Sequence, residues 1–367
     1  MLLLVLPWDA EADASAEWWY LRRWLASEAR AVFDEVDVVS ELPTQAPDGL
    51  EATLVLRSCR VLIGRASLRR MREELTQAQD RVSAVYATDL TTTGPEAGTD
   101  LFTLADFEQA EATWLAADRT DAATPPSGEG AFPAALLSPA ATTRCASGER
   151  IPGPHAGLCY EFIDYYGGER ADVLPLLPPD LGPESSVLEV GCGRGATAAL
   201  IKERFGCRTV GIELNPEAAV AAESRLDRVI HGDVQTVEPG EKFDAIVAFE
   251  LFEHLTDGQT FLERAASWLR PGGRMVFSVP NVGHYSVVED LIAGRWDYIP
   301  MGLLCATHVR FFTRRTLEDW LHAAGFDRYR IDAQTTPLPP RMDALPESMA
   351  PDRESLATAG FYVAIFC

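Results

Sequence analysis

Short apolar runs alternate with segments of helical periodicity over the first 118 residues. The runs LLLVLPW, VDVVS, TLVLRSCRVLIG and RVSAVYATDL predict strands. Helical spacing over residues 14–31, and over ASLRRMREELTQAQ, where Ser67 opens the segment, predicts two helices. Strands separated by helices favour a small α/β layer structure with a partly parallel sheet. We therefore predict an N-terminal α/β domain over residues 1–118, with a role in substrate recognition or oligomerisation.

Residues 119–150 show no sustained periodicity. The segment is rich in Ala, Pro, Ser, Thr and Gly, which is the composition of a linker or of a connection that lies over a surface. We predict a linker over residues 119–150 and a second domain over residues 151–367.

Strand and helix patterns alternate through five units of the second domain. Short helices are predicted at 159–165 and 170–177, followed by a strand, a glycine-rich turn and a helix in SSVLEVGCGRGATAALIKERFG. Further strands are predicted in CRTVGIELN, RVIHGDV, FDAIVAFELF, RMVFSVPN, RYRIDA and FYVAIFC, with helices at 217–226, 258–269 and 317–324. This order predicts a doubly wound α/β domain, in which ligands bind at the carboxyl ends of the strands.

The charge balance excludes some classes of partner. The chain of 367 residues carries 32 Lys and Arg against 55 Asp and Glu, a formal net charge of −23, and 47% of its residues are hydrophobic. This content is enough for two buried cores, but the acidic excess makes a broad nucleic-acid-binding face improbable, because such a face is cationic. We expect no nucleic-acid partner.

The cysteines and the apolar runs indicate the cellular compartment of the protein. The seven cysteines are scattered without a C-x-x-C pair, so neither a disulfide framework nor a cysteine zinc site is predicted. The apolar start lacks a basic region and turns acidic at Asp9, and no run reaches the length of a membrane helix. We predict a cytoplasmic protein with no membrane partner.

The glycine-rich turn is the first candidate ligand site. Gly191, Gly193 and Gly195 follow a strand and open a helix, where a missing Cβ lets the backbone approach a nucleotide-like ligand. With Ala196 the run also fits a dinucleotide fingerprint. However, Glu189 would repel a pyrophosphate and would instead suit the cationic part of an amino-acid-bearing ligand.

Two further carboxylates follow later strands. Glu213 ends the second strand of the unit and can accept both hydroxyls of a ribose, which fits either cofactor. Asp233 follows the third strand and can either bind an adenine amino group or cap a turn.

Five ordered motifs carry a family resemblance over residues of about 155 to 367. VLEVGCGRG, GIELNP, HGDV, FDAIVAFELFEHL and LRPGGRMVFSVPN resemble the motifs of class I S-adenosylmethionine-dependent methyltransferases. PNVGHYSVVEDLIAGRWDY and THVRFFTRRTLEDWLHAAGF resemble the substrate-side segments of the branch with ubiquinone-biosynthesis-type O-methyltransferases and natural-product tailoring enzymes. The resemblance implies a Rossmann-like sheet of seven strands, a methyltransferase activity and S-adenosylmethionine as cofactor.

The resemblance also implies roles for single residues. The methionine part of the cofactor would lie against Glu189, the backbone from Gly191 through Cys192 and Gly193 to Gly195, and Glu250. The ribose would be bound by Glu213, and the adenine by Leu214, Asp233 and the Val234 amide. A segment with Tyr165, Tyr166 and Arg170 would close over the cofactor.

Three histidines are candidates for catalysis. Methyl transfer to a hydroxyl needs a group that removes a proton, and a neutral imidazole suits this task. His284 and His308 lie near the ligand-facing end of the fifth strand, and the resemblance places both near the acceptor. His254 belongs to the run Glu250-x-x-Glu253-His254, which resembles a run linked to divalent metal use. We favour no metal, with His254 packing or capping its element.

An aromatic group marks the substrate side. It is formed by Tyr285, Trp296, Tyr298, Phe311 and Phe312 and can be either a wall for a ring or sugar, or a small core beneath a lid.

We expect methyl transfer to a small-molecule acceptor, most readily a hydroxyl of a sugar, ring or natural-product intermediate. The alternatives are N- or C-methylation, a catalytically silent cofactor-binding scaffold, and an NAD-linked enzyme. The sequence is also compatible with a homodimer.

Overall fold

The computed structural model describes residues 1–6, 16–58, 60–78, 83–90, 103–117, 133–162, 166–346, 348 and 352–366. The chain forms two compact units. The N-terminal unit comprises Met1–Ile163 together with Asp297–Ala306, and the C-terminal unit comprises Asp164–Trp296 and Thr307–Cys367.

The N-terminal unit contains a sheet of seven strands in the order β2-β1-β3-β6-β5-β7-β4. The strands are β1 (Leu2–Val5), β2 (Val36–Val39), β3 (Ala52–Leu56), β4 (Val61–Ile63), β5 (Ala84–Asp89), β6 (Ala134–Leu137) and β7 (His155–Glu161). The helices are α1 (Ala16–Arg30), α2 (Arg65–Gln77), α3 (Leu104–Ala116) and α4 (Pro139–Ala146). Strands β2, β1 and β3 are mutually parallel, whereas β6 runs antiparallel to both of its neighbours. The predicted α/β layer structure is therefore present.

The structure corrects the predicted domain boundaries. Strand β6 and helix α4 lie within the predicted linker, and β6 is buried throughout between β3 and β5. The predicted helix at 159–165 is wrong over its described part, because β7 pairs there with β4 and β5. Both strands are short and apolar, and their burial depends on partners distant in sequence. Residues 119–132 of the predicted linker lie outside the described residues.

Two local predictions in this unit also change. The run TLVLRSCRVLIG forms two strands, β3 inside the sheet and β4 at its edge. Helix α2 begins at Arg65 rather than Ser67, and the Ser67 hydroxyl instead accepts a hydrogen bond from the Leu158 amide at 2.9 Å.

The C-terminal unit contains a second sheet of seven strands in the order β10-β9-β8-β11-β12-β14-β13. Its strands are β8 (Ser186–Val190), β9 (Arg208–Glu213), β10 (Arg228–His231), β11 (Phe243–Ala248), β12 (Leu269–Pro280), β13 (Tyr329–Thr335) and β14 (Thr358–Phe366). Strands β8 to β12 are parallel, and β14 is antiparallel to both of its neighbours. The predicted doubly wound sheet is confirmed.

The helices of this unit flank the sheet. They are α5 (Ala196–Phe205), α6 (Pro216–Glu223), α7 (Gly258–Ser267), α8 (Tyr285–Ile292), α9 (Arg314–Ala323), α10 (Pro340–Asp343) and α11 (Arg353–Ala357), with 3₁₀ turns at Ala171–Leu176 and Phe252–His254. The first 3₁₀ turn coincides with the helix predicted at 170–177.

A cluster of aromatic rings anchors the second 3₁₀ turn. Phe252 is fully buried, and its ring centroid lies 4.7 Å from that of Phe277 and 5.2 Å from that of Trp320. Burying a side chain of this size stabilises the fold by about 2 to 3 kcal/mol. Because Phe252 is fixed in the core, the next two residues, Glu253 and His254, have defined positions.

Within the part of the chain that the structure describes, no helix has both the length and the apolar character that crossing a membrane requires.

Candidate functional site

The glycine-rich turn joins β8 to α5. Gly191, Gly193 and Gly195 have φ values of +68°, +51° and +75°, which side chains rarely adopt. A Cβ at Gly193 would lie 2.4 Å from the carbonyl oxygen of Tyr166. That carbonyl accepts a hydrogen bond of 2.8 Å from the Arg194 amide, so Tyr166 lies against the turn. Tyr165 lies outside the described residues.

Glu213 at the end of β9 is oriented by two backbone amides. Its Oε2 accepts from the Gly193 amide and its Oε1 from the Asn215 amide, both at 2.8 Å. Burial raises the pKa of this carboxyl above its usual range, although the two amides counteract the shift. Each oxygen keeps a further lone pair, so the carboxylate can still accept from two ligand hydroxyls.

Glu189 is buried in β8, with 4% of its surface exposed. Its Oε2 accepts a hydrogen bond of 2.8 Å from the Ala198 amide in the first turn of α5. Burial, together with the nearby charge of Glu213, raises the pKa of Glu189 from 4.5 to about 8. A cation near this carboxyl would stabilise its ionised form.

Leu214 and the turn at Asp233 border the same end of the sheet. Leu214 follows Glu213 and is 66% exposed, which leaves an apolar surface for a ligand. The Oδ1 of Asp233 accepts from the Gln235 amide at 2.8 Å, so this carboxylate does cap a turn. Arg264 donates to the carbonyl oxygens of Val234, Gln235 and Val237 and thereby fixes the turn.

Glu250 follows β11 with a φ of +48°, the one positive value of a non-glycine residue in the described chain. Its amide donates to Ser278 Oγ at 3.1 Å, and that hydroxyl donates to Glu250 Oε1 at 2.5 Å. Strained backbone of this kind, held by its surroundings, is typical of functional sites.

Arg170 lies close enough to Glu250 for the two charges to interact. Burial alone would lower the pKa of Arg170, but the charge of Glu250 and the contact with Tyr362 raise it. The structure therefore places the charges of Arg170 and Glu250 close to each other.

His284 lies at the N-cap of α8, in surroundings that disfavour its predicted role as a base. The side chain is fully buried at the N-cap of α8, where Nδ1 accepts from the Ser286 amide. Nε2 must then carry the proton, and it donates to Thr336 Oγ1 at 2.9 Å, which leaves no lone pair for catalysis. Burial also lowers the pKa of His284 to about 4.

His308 and His254 form a second group with Glu253. The two imidazole centroids are 4.8 Å apart, and His254 Nδ1 lies 2.9 Å from Thr307 Oγ1. His308 Nε2 lies 3.9 Å from Glu253 Oε1. One ligand atom from each of Glu253, His254 and His308 lies within 4.8 Å of the other two. The structure thus brings His254 and His308 together with Glu253. His284 is not a member of this group.

Glu253 is the unusual member of this group. It is fully buried, and neither carboxylate oxygen has a hydrogen-bond partner among the described residues. Burial, reinforced by the charge of Glu250, raises the pKa of Glu253 well above its usual range. A buried carboxyl without a partner is costly and suggests a ligand or a proton, so this group fits a divalent cation. The cluster differs from the metal run considered above, because His308 takes the place of Glu250.

A family model described as a methyltransferase domain matches residues 163–330. This match spans the glycine-rich turn, Glu213, Glu250 and the histidine group. The C-terminal unit is a class I S-adenosylmethionine-dependent methyltransferase domain. The predicted family is confirmed, and S-adenosylmethionine, the predicted cofactor, is the cofactor of this class.

Two curated relatives of the methyltransferase domain are named ubiquinone biosynthesis O-methyltransferase. The protein from Rhodopseudomonas palustris (strain HaA2) is 31% identical over 148 residues, which cover 38% of this chain and 57% of the relative. That from Azorhizobium caulinodans is 31% identical over 150 residues, which cover 38% and 58%. The chain thus spans little more than half the length of these relatives. A solved SAM-dependent methyltransferase from Archaeoglobus fulgidus is similar at 17% identity, covers 50% of this chain and 86% of its own, and has a TM-score of 0.37.

The aromatic residues of the substrate side do not form one wall. Phe312 is buried in the main core of the methyltransferase domain, and Tyr285 packs against Met342 and Leu356. Trp296 contacts Phe311 with ring centroids 5.2 Å apart. Tyr298 belongs to the N-terminal unit, where its ring lies 6.5 Å from that of Tyr20. For Tyr285 and Phe312 the interpretation as a core is the better one.

The sequence interpretation missed three residues that hold this site. Ser278 on β12 binds Glu250, Arg264 on α7 fixes the turn after Asp233, and Tyr362 on β14 contacts Arg170. Ser278 and Tyr362 belong to apolar strands, where the pattern indicates only core positions. A polar residue inside such a strand was the one signal in the sequence.

Proposed function

We propose that the protein transfers the methyl group of S-adenosylmethionine to a hydroxyl oxygen of a small molecule, namely a sugar, a ring or a natural-product intermediate. The single observation that carries the proposal is the set of charged groups that surrounds the glycine-rich turn in the methyltransferase domain. The preference for oxygen rests on the relatives named as O-methyltransferases and on the histidines near the acceptor side.

The cofactor would extend along the carboxyl ends of β8, β9 and β11. Glu213, already oriented by two amides, accepts the ribose hydroxyls. Leu214 packs on the adenine, whose edge is bound by Asp233 and the Val234 amide. The backbone of Gly191, Cys192, Gly193 and Gly195 lies against the methionine part.

The amino-acid end of the cofactor carries one positive and one negative charge. Arg170 suits its carboxylate, because a guanidinium recognises a carboxylate with paired hydrogen bonds. Glu250 and the buried Glu189 suit its ammonium group, and Tyr166 lies over the turn. An NAD-linked function is disfavoured, because these carboxylates would repel a pyrophosphate.

Two mechanisms can remove the proton of the acceptor. In the first, the imidazole of His308 is the base and takes the proton of the acceptor hydroxyl. In the second, Glu253, His254 and His308 would hold a divalent cation, which would lower the pKa of the acceptor hydroxyl so that its proton passes to solvent. The orphaned carboxylate of Glu253 favours the second mechanism, although the sequence analysis favoured no metal.

The test uses the purified full chain with methyl-labelled S-adenosylmethionine and a panel of hydroxylated aromatics, sugars and amines. We expect label in an O-methyl ether, detected by mass spectrometry, together with binding of S-adenosylhomocysteine. Label on nitrogen or carbon would select the corresponding alternative. Binding without any transfer on the panel would favour a silent cofactor-binding scaffold.

A further inference from the structure

Arg170 is held by a cluster at the edge of the methyltransferase domain that the assigned roles do not explain. Its Nη2 donates to the Tyr362 hydroxyl at 2.5 Å, and that hydroxyl donates to Asp172 Oδ2. The guanidinium carbon lies 5.4 Å from the ring centroid of Tyr362 and 5.7 Å from that of Phe249. The backbone amide of Arg170 also donates to Thr197 Oγ1 in α5 at 3.2 Å. The position of the guanidinium is therefore defined by several contacts.

Tyr362 lies between two opposite charges. Asp172 Oδ1 is 3.7 Å from Arg170 Nε, an ion-pair distance that is too long for a direct hydrogen bond. By accepting from Arg170 and donating to Asp172, the Tyr362 hydroxyl bridges the two groups in place of a direct hydrogen bond. Of the residues that the structure describes, none accepts a hydrogen bond from Arg170 Nη1.

A hydroxyl on the neighbouring strand β12 binds the negatively charged Glu250, as the Tyr362 hydroxyl on β14 binds Arg170. Tyr362 on β14 pairs directly with Ser278 on β12, and directly opposed residues of an antiparallel pair project on the same face. Ser278 binds Glu250, while Tyr362 binds Arg170. The directly paired residues Ser278 and Tyr362 thus orient both charged side chains of the proposed cofactor site.

We propose that Tyr362 is a positioning residue, which bridges Arg170 and Asp172 through its hydroxyl and aims the guanidinium at the carboxylate of the cofactor. This inference rests on the proposed function, because Arg170 is a carboxylate-binding residue only if the ligand carries an amino-acid end. The alternative is that Tyr362 merely packs in the sheet.

Two ligands separate these explanations. S-adenosylhomocysteine carries the amino-acid end, whereas 5′-methylthioadenosine has the same adenosine but lacks the carboxylate. We expect Tyr362→Phe, which keeps the ring, to weaken S-adenosylhomocysteine binding about fivefold to tenfold in calorimetry. Binding of 5′-methylthioadenosine should stay within about twofold, because no guanidinium contact is involved.

A double-mutant cycle tests whether Tyr362 acts through Arg170. In an Arg170→Ala background, Tyr362→Phe should cause no further loss of S-adenosylhomocysteine affinity. Tyr329→Phe is the matched control, because Tyr329 lies on the neighbouring strand β13 and its hydroxyl contacts His322 Nε2 of α9 at 3.1 Å rather than Arg170. This control should bind both ligands as the parent does.

The outcomes are distinct. Equal weakening of both ligands by Tyr362→Phe, no weakening of either, or a full further loss in the Arg170→Ala background would each overturn the positioning role. If the parent protein binds neither ligand, the proposed function itself fails, and this inference fails with it.

Discussion

Replacing Glu189 by Gln should stabilise the unliganded protein at high pH and weaken its binding of cofactor. The folded chain raises the pKa of Glu189 from 4.5 to about 8 by burial, so between these values the folded state holds a proton that the unfolded state has released. Stability then falls as pH rises through this window, because the folded state binds more protons. Gln is neutral, and its side-chain carbonyl can still accept from the Ala198 amide.

The magnitude follows from the difference in pKa. Each unit of pKa is worth about 1.4 kcal/mol, and integration of the two titrations from pH 5 to pH 8 gives a loss of about 3 to 4 kcal/mol. This burial-driven cost is absent in Glu189→Gln. The variant should therefore unfold near the temperature of the parent at pH 5 and several degrees above it at pH 8.

The assay is thermal unfolding of both proteins across pH 5 to 8, without ligand. Glu203→Gln on the exposed face of α5 is the matched control, and its difference from the parent should not change with pH. In calorimetry at pH 8, Glu189→Gln should bind S-adenosylhomocysteine more weakly than the parent does, although it is the more stable protein at this pH. A stability difference that stays constant from pH 5 to pH 8 would refute the reasoning.

Three further predictions concern the remaining site residues. Glu213→Gln should lower S-adenosylhomocysteine affinity at least about tenfold in calorimetry while the circular dichroism spectrum is kept, because one charged acceptor for the ribose is lost; unchanged affinity would remove Glu213 from the site. His284→Gln should keep the turnover rate within about threefold and lower the melting temperature, because a helix cap is worth about 1 kcal/mol; a hundredfold loss of turnover would restore it as a base. If a cation is bound, Glu253→Gln should abolish cation binding in calorimetry, and a chelator should stop methyl transfer reversibly. Full activity after chelation would instead favour His308 as the base, and His308→Gln should then lower the turnover rate by about 10² to 10⁴.

The geometry of the glycine-rich turn and the place of Glu213 beside it were predictable because their signals are local. The turn from Gly191 to Gly195 needs positive φ values within one short segment, and Glu213 lies at a fixed distance along the chain from it. Sequence spacing therefore captures both. The order of strands in the C-terminal sheet follows from the same regular alternation.

The acceptor side was less predictable because its roles depend on distant partners. The surroundings of His284 include Thr336, which lies 52 residues away along the chain. The pairing of Tyr362 with Arg170 spans 192 residues. Strands β6 and β7 were missed for a similar reason, because a run as short as Ala134–Leu137 becomes a strand only between two neighbours that cover it.

The segment Asp297–Ala306 belongs to the N-terminal unit, although the sequence on both sides of it belongs to the C-terminal unit. The N-terminal unit closes only when a segment translated more than 130 residues after Ile163 has emerged. At ordinary rates of synthesis this delay is about 7 to 30 seconds. The usual order, in which the first domain finishes folding before the second appears, does not apply to this chain. An exchange of residues 164–367 by recombination would therefore remove part of the N-terminal unit as well.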